Sequence, residues 1–462
     1  MPQPKLLREL GVFSATAIVV SNMIGTGIFT TTGFLAGDLG SAWLVVAIWF
    51  AGAVLALAGA LCYSELGINF PRSGGEYVYL TEAWGPGWGF LTGWVSFFAG
   101  FSAPIAAGAL AVAGYLAYFF PALKAGGSGS IQAAFLTVHL GPAQLVACAV
   151  VLAFTTLNVF GLLRAARIQN LLTTLKIITI VCFIVLGASI GHGDWGHFMA
   201  AAQRTSPHSL GVQFLISLVW VFFGYSGWNA ATYVAGELRD PERTLPRSLL
   251  AGTALVAALY AGLNIVFIYG APLDAMKGVV GVGSLAARSL FGPAVAGAFS
   301  ALMALALLST VNAMTIIGPR VYYAMAENGA FFRAAERIHP RWNTPWVAIW
   351  AQGACCCVLI ITGTFESLVQ YVGFSLWLFT MLAVLGVFRL RRRPGWKSLP
   401  AANVAFPLIP GVYVAISAWV LIYMVLLRPK ESGLGLLTMA GGALIYLLVL
   451  RRKPAVRRAA TL

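Results

Sequence analysis

The sequence predicts an all-α integral membrane protein with twelve transmembrane helices, and three observations lead there. Of the 462 residues, 60% are hydrophobic and 9% are charged, whereas soluble domains carry roughly a quarter of their residues charged. Apolar runs of the length a helix needs to cross the hydrocarbon core, about 20 residues, recur along nearly the whole chain. They leave no polar stretch long enough for a separate domain. Lysine and arginine alternate from one connecting segment to the next, as the sidedness of cytoplasmic loops requires.

The spans are expected at 13–35, 41–67, 88–119, 142–161, 167–190, 210–236, 247–270, 291–318, 345–362, 367–388, 404–427 and 433–450. An even number places both termini on one side, here the cytoplasm. Of the 29 lysines and arginines, 22 then fall in cytoplasmic segments, 6 in outer loops, and one, Lys176, inside a span. An error in the count would scramble that alternation. The basic start of the chain leads into an apolar run too long for a signal peptide and without a cleavage pattern, so it is expected to remain attached.

Composition also excludes function classes. The net charge of +15 follows topology and comes with no groove-entering motif, so nucleic acid is not an expected partner. The expected surroundings are a lipid bilayer. All six cysteines lie in apolar stretches, where free cysteine behaves as a small hydrophobe; no disulfide, metal or cofactor is assigned. His192, His197 and His208 share one outer loop at spacings unlike a metal site and are expected to be solvated. A membrane-embedded enzyme would need a nucleophile with its base, or a cluster of titratable groups, at the midplane. Neither is found. Gly126 to Ser130 (GGSGS) reads as a flexible outer loop.

Two spans are interrupted by glycine at corresponding places. The first reads SNMIGTGIF, with Gly25 and Gly27 around Thr26, and the sixth reads FFGYSGWN, with Gly224 and Gly227 around Tyr225 and Ser226. One such pair would suit close helix packing. Two pairs at matching positions point to a binding site at the midplane. Unwinding in lipid exposes backbone groups that need partners, and a zwitterion can be that partner. The restart near Thr26 and Gly27 offers N–H groups and a positive helix end to a carboxylate. Carbonyls near Met23, Ile24, Phe223 and Gly224 are expected to hold an ammonium. The GTG triplet is no dinucleotide fingerprint, because Thr30 stands where the third glycine would be.

Four segments, MIGTGIF, CYSELGINFPRSGGEYVY, FGYSGWN and GELRDPERTLPRSL, resemble the amino acid–polyamine–organocation superfamily, most closely its L-type amino acid transporter branch. The resemblance covers nearly the whole chain. It implies a leucine-transporter-like five-plus-five inverted repeat over 13–190 and 210–388, two further helices over 404–450, and cytoplasmic ends at 1–12 and 451–462. It also implies that residues like Ile24, Gly25, Thr26 and Gly27, with Phe223, Gly224 and Ser226, bind the substrate. Phe223 would act as a lid, and Trp228 and Asn229, the pair that follows the break, would complete the substrate-binding set, the asparagine helping to shape the pocket. Animal members bond to a heavy chain through a cysteine between spans three and four. Pro121 to Gly141 has no cysteine, so a disulfide-linked heavy chain is not expected, and a bacterial plasma membrane fits.

Lys176 lies roughly 13 Å into the fifth span at 1.5 Å per residue, and a charge there needs a partner or water. The resemblance implies that its ammonium replaces the cation of sodium-driven relatives, between the broken first helix and span eight, where Ser309, Thr310 and Asn312 are possible partners. The alternative is a lysine reaching the interface along its stem. Glu65 and Glu237 are expected to pair with loop arginines, and Asn158 and Asn264 to hydrogen-bond between helices. No acidic residue is expected near the midplane. The expected function is sodium-independent exchange of neutral, small to medium L-amino acids by alternating access, with a proton-coupled amino acid or amine symporter as the alternative.

Overall fold

The computed structural model describes residues 6–123, 129–133, 136–279, 281–363, 365–404, 406–427 and 429–450. The expected cytoplasmic tail at 451–462 and most of the GGSGS segment lie outside them. The first span is two helices, α1 (Val12–Met23) and α2 (Gly27–Leu39), inclined by 41°. α3 (Ala42–Asn69) is apolar on all sides, the mark of a helix whose surroundings are apolar all round. α4 (Glu76–Trp84) is a short helix between the second and third windows, where none was expected. α5 (Pro86–Val95) runs through a π-helical stretch, Ser96–Ser102, into α6 (Ala103–Leu116).

Strands β1 (Gly129–Ala133) and β2 (Leu136–Leu140) pair antiparallel, with Ile131 opposite Val138. Gly129 and Ser130, read as loop from their small side chains, are strand residues because β2 supplies the backbone partners. α7 (Pro142–Val159) and α8 (Leu162–Ile190) follow. α9 (Leu210–Tyr225) stops at the second interruption, and a 3₁₀ stretch, Ala230–Glu237, continues it. Then follow α10 (Pro241–Gly270), two short helices α11 (Leu273–Met276) and α12 (Val282–Phe291), α13 (Ala296–Glu327), α14 (Trp346–Thr362) and α15 (Phe365–Leu390). α16 (Pro400–Val404), α17 (Leu408–Leu427) and α18 (Pro429–Ile445) close the chain.

Among the described residues, eight helical rods are long and apolar enough to cross a membrane, and the bent α1–α2 pair makes a ninth. The shorter apolar helices Trp346–Thr362, Trp377–Leu390 and Ser432–Leu448 occupy the ninth, tenth and twelfth windows. The protein is a multi-pass helical membrane bundle.

α10 packs along α1 and α3, α13 along α6 and α8, and α9 against α2 and α3. Asn158 donates to Asn312 Oδ1 (3.0 Å) and Thr32 to Asn264 Oδ1 (2.7 Å), each between helices as expected. Glu65 pairs bidentately with Arg391, with both N–O distances 2.6 Å. Glu237 pairs with Arg320 at 2.8 and 3.1 Å. Arg320 was placed in a loop by the sequence; α13 runs on to Glu327 and carries it inside, 1% exposed. At the same end of the bundle the amides of Glu9 and Leu10 donate to Glu237 O (2.9 and 3.0 Å), and Arg239 N donates to Leu10 O (2.8 Å). The start of the chain is thereby tied to the end of the sixth span.

Two of the loop histidines also touch helix-end carbonyls, His197 being half-buried while His192 stays exposed as expected. His197 Nδ1 lies 3.0 Å from Ile268 O and 3.1 Å from Tyr269 O, and His192 Nδ1 lies 3.4 Å from Leu290 O. The loop folds back onto the ends of α10 and α12, which spacing in sequence does not reveal.

Candidate functional site

The two breaks meet backbone to backbone. A methyl group on Gly27 would stand 2.8 Å from Gly224 Cα and 3.3 Å from Gly224 N, and one on Gly224 would stand 2.7 Å from the Trp49 ring. Gly227, at φ +97°, allows the sixth span to turn, and a side chain there would stand 2.8 Å from Asn22 Cβ. Small residues are therefore required on both sides of the junction. Gly27→Ala is expected to force the breaks apart, at the roughly 1–3 kcal/mol of an overpacked core. Reduced thermal stability in detergent together with weaker substrate binding would check it; wild-type values for both would contradict the close approach.

Gly25, Thr26 and Phe223 are partly exposed, Ser226 is exposed, and Ile24, Gly27 and Gly224 are buried. The predicted backbone groups are thus brought together at a junction that is partly accessible. At the start of α2 the first N–H groups lack helical acceptors, and no side chain caps them. The carbonyls are less free than expected. Ile24 O accepts from Lys176 Nζ (2.8 Å) and Thr310 Oγ1 (3.0 Å). Phe223 O accepts from Ser226 Oγ (2.9 Å). Met23 O and Gly224 O both face Tyr260 Oη, at 2.7 and 2.9 Å.

Tyr260 was not anticipated, since one tyrosine in an apolar span carries no signal of its own. Its hydroxyl has a single proton to donate. Met23 O also holds the Gly25 amide (3.0 Å), which leaves Gly224 O as the carbonyl most in need of a donor.

Lys176 is 1% exposed. Its ammonium ends on the first break, donating to Ile24 O, Ser21 O (3.4 Å) and Thr310 Oγ1 (3.0 Å). It does not reach an interface. Of the three residues expected to partner it, only Thr310 does. Ser309 instead meets Ser21 Oγ (2.6 Å) and accepts from Gln169 (3.1 Å). Asn312 donates to Gln169 Oε1 (2.8 Å) and accepts from Asn158. Thr310 and Asn312, two residues apart, lie on nearly opposite sides of α13, whereas Ser309 and Asn312 share a face, the one turned to Gln169.

Trp228 is buried, 4% exposed. Its ring packs edge-on against Tyr63 (centroids 4.7 Å apart) and Tyr413 (6.3 Å) and fills the notch at Gly59. It belongs to the packing between α3 and α17. Asn229 turns its amide to Glu76 Oε1 (2.5 Å). The carboxyl group of Glu76 is buried beside the sixth-span break, where no acidic residue was expected, and the signal was present as an acid in the apolar, aromatic run GGEYVY.

Two interrupted helices that meet at their breaks inside an apolar bundle are the arrangement in which membrane carriers place a binding centre. The chain belongs to the amino acid permease family, whose pattern matches residues 10–449. It is similar to the serine/threonine exchanger SteT of Bacillus subtilis (strain 168), 29% identical over 97% of this chain and 98% of that protein. It is also similar to the large neutral amino acids transporter small subunit 2 of Oryctolagus cuniculus, 30% identical over 96% of this chain and 80% of that protein. The Asc-type amino acid transporter 1 of Mus musculus is 28% identical over 96% and 81%. The superfamily read from the four motifs is the right one, and the protein is an amino acid transporter, not an enzyme.

Proposed function

We propose that the chain crosses the membrane twelve times as two inverted five-helix repeats plus two helices, with both termini cytoplasmic in a bacterial plasma membrane. It exchanges neutral, small to medium L-amino acids by alternating access and without sodium. The observation that carries this reading is the contact of the two breaks at Gly27 and Gly224, with Lys176 held on Ile24 O. The substrate carboxylate takes the open N–H groups at Thr26 and Gly27. The ammonium takes Gly224 O, and the partly exposed Phe223 ring closes over the bound molecule. Named activities of the relatives support exchange and a neutral substrate: one is a serine/threonine exchanger and another a transporter of large neutral amino acids. The chain works without a disulfide-linked heavy chain, because the segment from Pro121 to Gly141 offers no cysteine.

Purified protein in liposomes tests this. Efflux of labelled alanine or serine is expected to require external amino acid and to be the same in sodium as in choline buffer. Strict sodium dependence would refute the role of Lys176. Accumulation driven by a pH gradient, with no internal substrate, would establish proton-coupled symport instead.

A further inference from the structure

Glu76 opens α4 directly after Gly74 and Gly75, which have φ of +121° and +53° and turn the chain inward. Its side chain is buried, 3% exposed. Three side chains donate to it: Tyr63 on α3 (3.0 Å), Asn229 (2.5 Å) and Tyr233, the last two from the sixth span just past its break. Among the described residues no lysine or arginine pairs with it.

The chemistry of this contact sets a direction. A carboxylate only accepts, so the end of Asn229 facing it has to be the NH2 group. That group also lies 3.3 Å from Tyr233 Oη, so both of its N–H bonds are directed into the cluster. Asn229 Oδ1 is turned the other way, and among the described residues no donor reaches it. The residue comes three positions after Ser226, the exposed residue of the break.

We infer that Glu76 is a positioning residue that holds Asn229 with its carbonyl oxygen toward the substrate site, as an acceptor-only group that selects amino acids carrying a side-chain hydroxyl. This rests on the proposed function, in which the α-carboxylate and α-ammonium are already served by Thr26, Gly27 and Gly224 O. The remaining polar point of the site is then read by the side chain. A glutamine at position 76 offers both a donor and an acceptor, so Asn229 is free to turn over and present its NH2 group.

The test uses purified protein in liposomes and three substrates: serine, alanine and O-methylserine, whose side-chain oxygen only accepts. In the unaltered protein serine is expected to have a KM about tenfold below that of O-methylserine, the size of one neutral hydrogen bond. In Glu76→Gln the turned NH2 group donates to either side-chain oxygen, so the preference for serine over O-methylserine is expected to disappear, through a KM for O-methylserine about tenfold lower, with alanine unchanged and the maximal rate retained. The double variant Glu76→Gln with Asn229→Asp restores a donor facing an acceptor and is expected to recover the serine preference. A rise in KM for serine and alanine alike, a fall in maximal rate alone, or no preference for serine over O-methylserine in the unaltered protein would overturn the inference. So would a double variant that inserts without recovering the preference, or one that does not insert at all. Absence of exchange for all three substrates in the unaltered protein would instead refute the proposed function.

Discussion

Replacing Lys176 by methionine is expected to lower amino acid exchange in liposomes by at least about tenfold, with the amount of inserted protein unchanged. Methionine matches the length of the stem and removes only the ammonium. Three donations end with it, to Ile24 O, Ser21 O and Thr310 Oγ1. Hydrogen bonds to a charged group contribute about 1.5–3 kcal/mol each, and two of these fall on the segment where α1 ends. Thr310 still reaches Ile24 O at 3.0 Å, so the break is weakened but not stripped, and insertion survives. Exchange assayed at matched protein density decides it: a methionine variant keeping more than half the wild-type rate would show that the ammonium does not shape the site. Added sodium tests the same idea from the other side. Recovery of exchange by sodium in the variant alone would mean that the ion enters the place the ammonium left.

Replacing Arg320 by methionine is expected to destabilise the protein by about 3–5 kcal/mol, the usual loss when one partner of a buried ion pair is removed. Both side chains are 1% exposed, so water does not solvate the carboxylate left behind. The pair joins α13 to the end of the sixth span, where the backbone carbonyl of Glu237 also holds the start of the chain. Unfolding in detergent measures the effect, and Arg320→Met combined with Glu237→Gln separates its cause. Most of the loss is expected to return in the double variant, because the uncompensated charge is gone. A single variant that loses under about 1 kcal/mol would mean that solvent reaches the pair, as it does in exposed ion pairs.

Features that depend on neighbouring residues along one helix were legible before the fold was known. The two glycine interruptions are of this kind, since a local deficit of side chains in an apolar span is visible in any reading of it. The depth of Lys176 followed from counting residues at a fixed rise. Tyr260 and Glu76 were not legible, although both lie against the site. Tyr260 matters because α10 brings it between carbonyls of two other spans, and Glu76 because Tyr63, Tyr233 and Asn229 converge on it. The surroundings of Trp228 were hidden for the same reason: α3 and α17 supply Tyr63 and Tyr413 against its ring.

By itself the sequence determined that this chain lives in a membrane, roughly where its long apolar helices run, and where two of them break. Those outcomes depend on hydrophobic length and backbone freedom, which are properties of a segment. Only the tertiary structure decided which orphaned backbone groups are taken up by side chains and which are not. The breaks expose several carbonyls, and Lys176, Thr310, Ser226 and Tyr260 take up most of them. A hydrogen-bond acceptor is free or occupied according to what distant residues bring to it, and no local pattern records that.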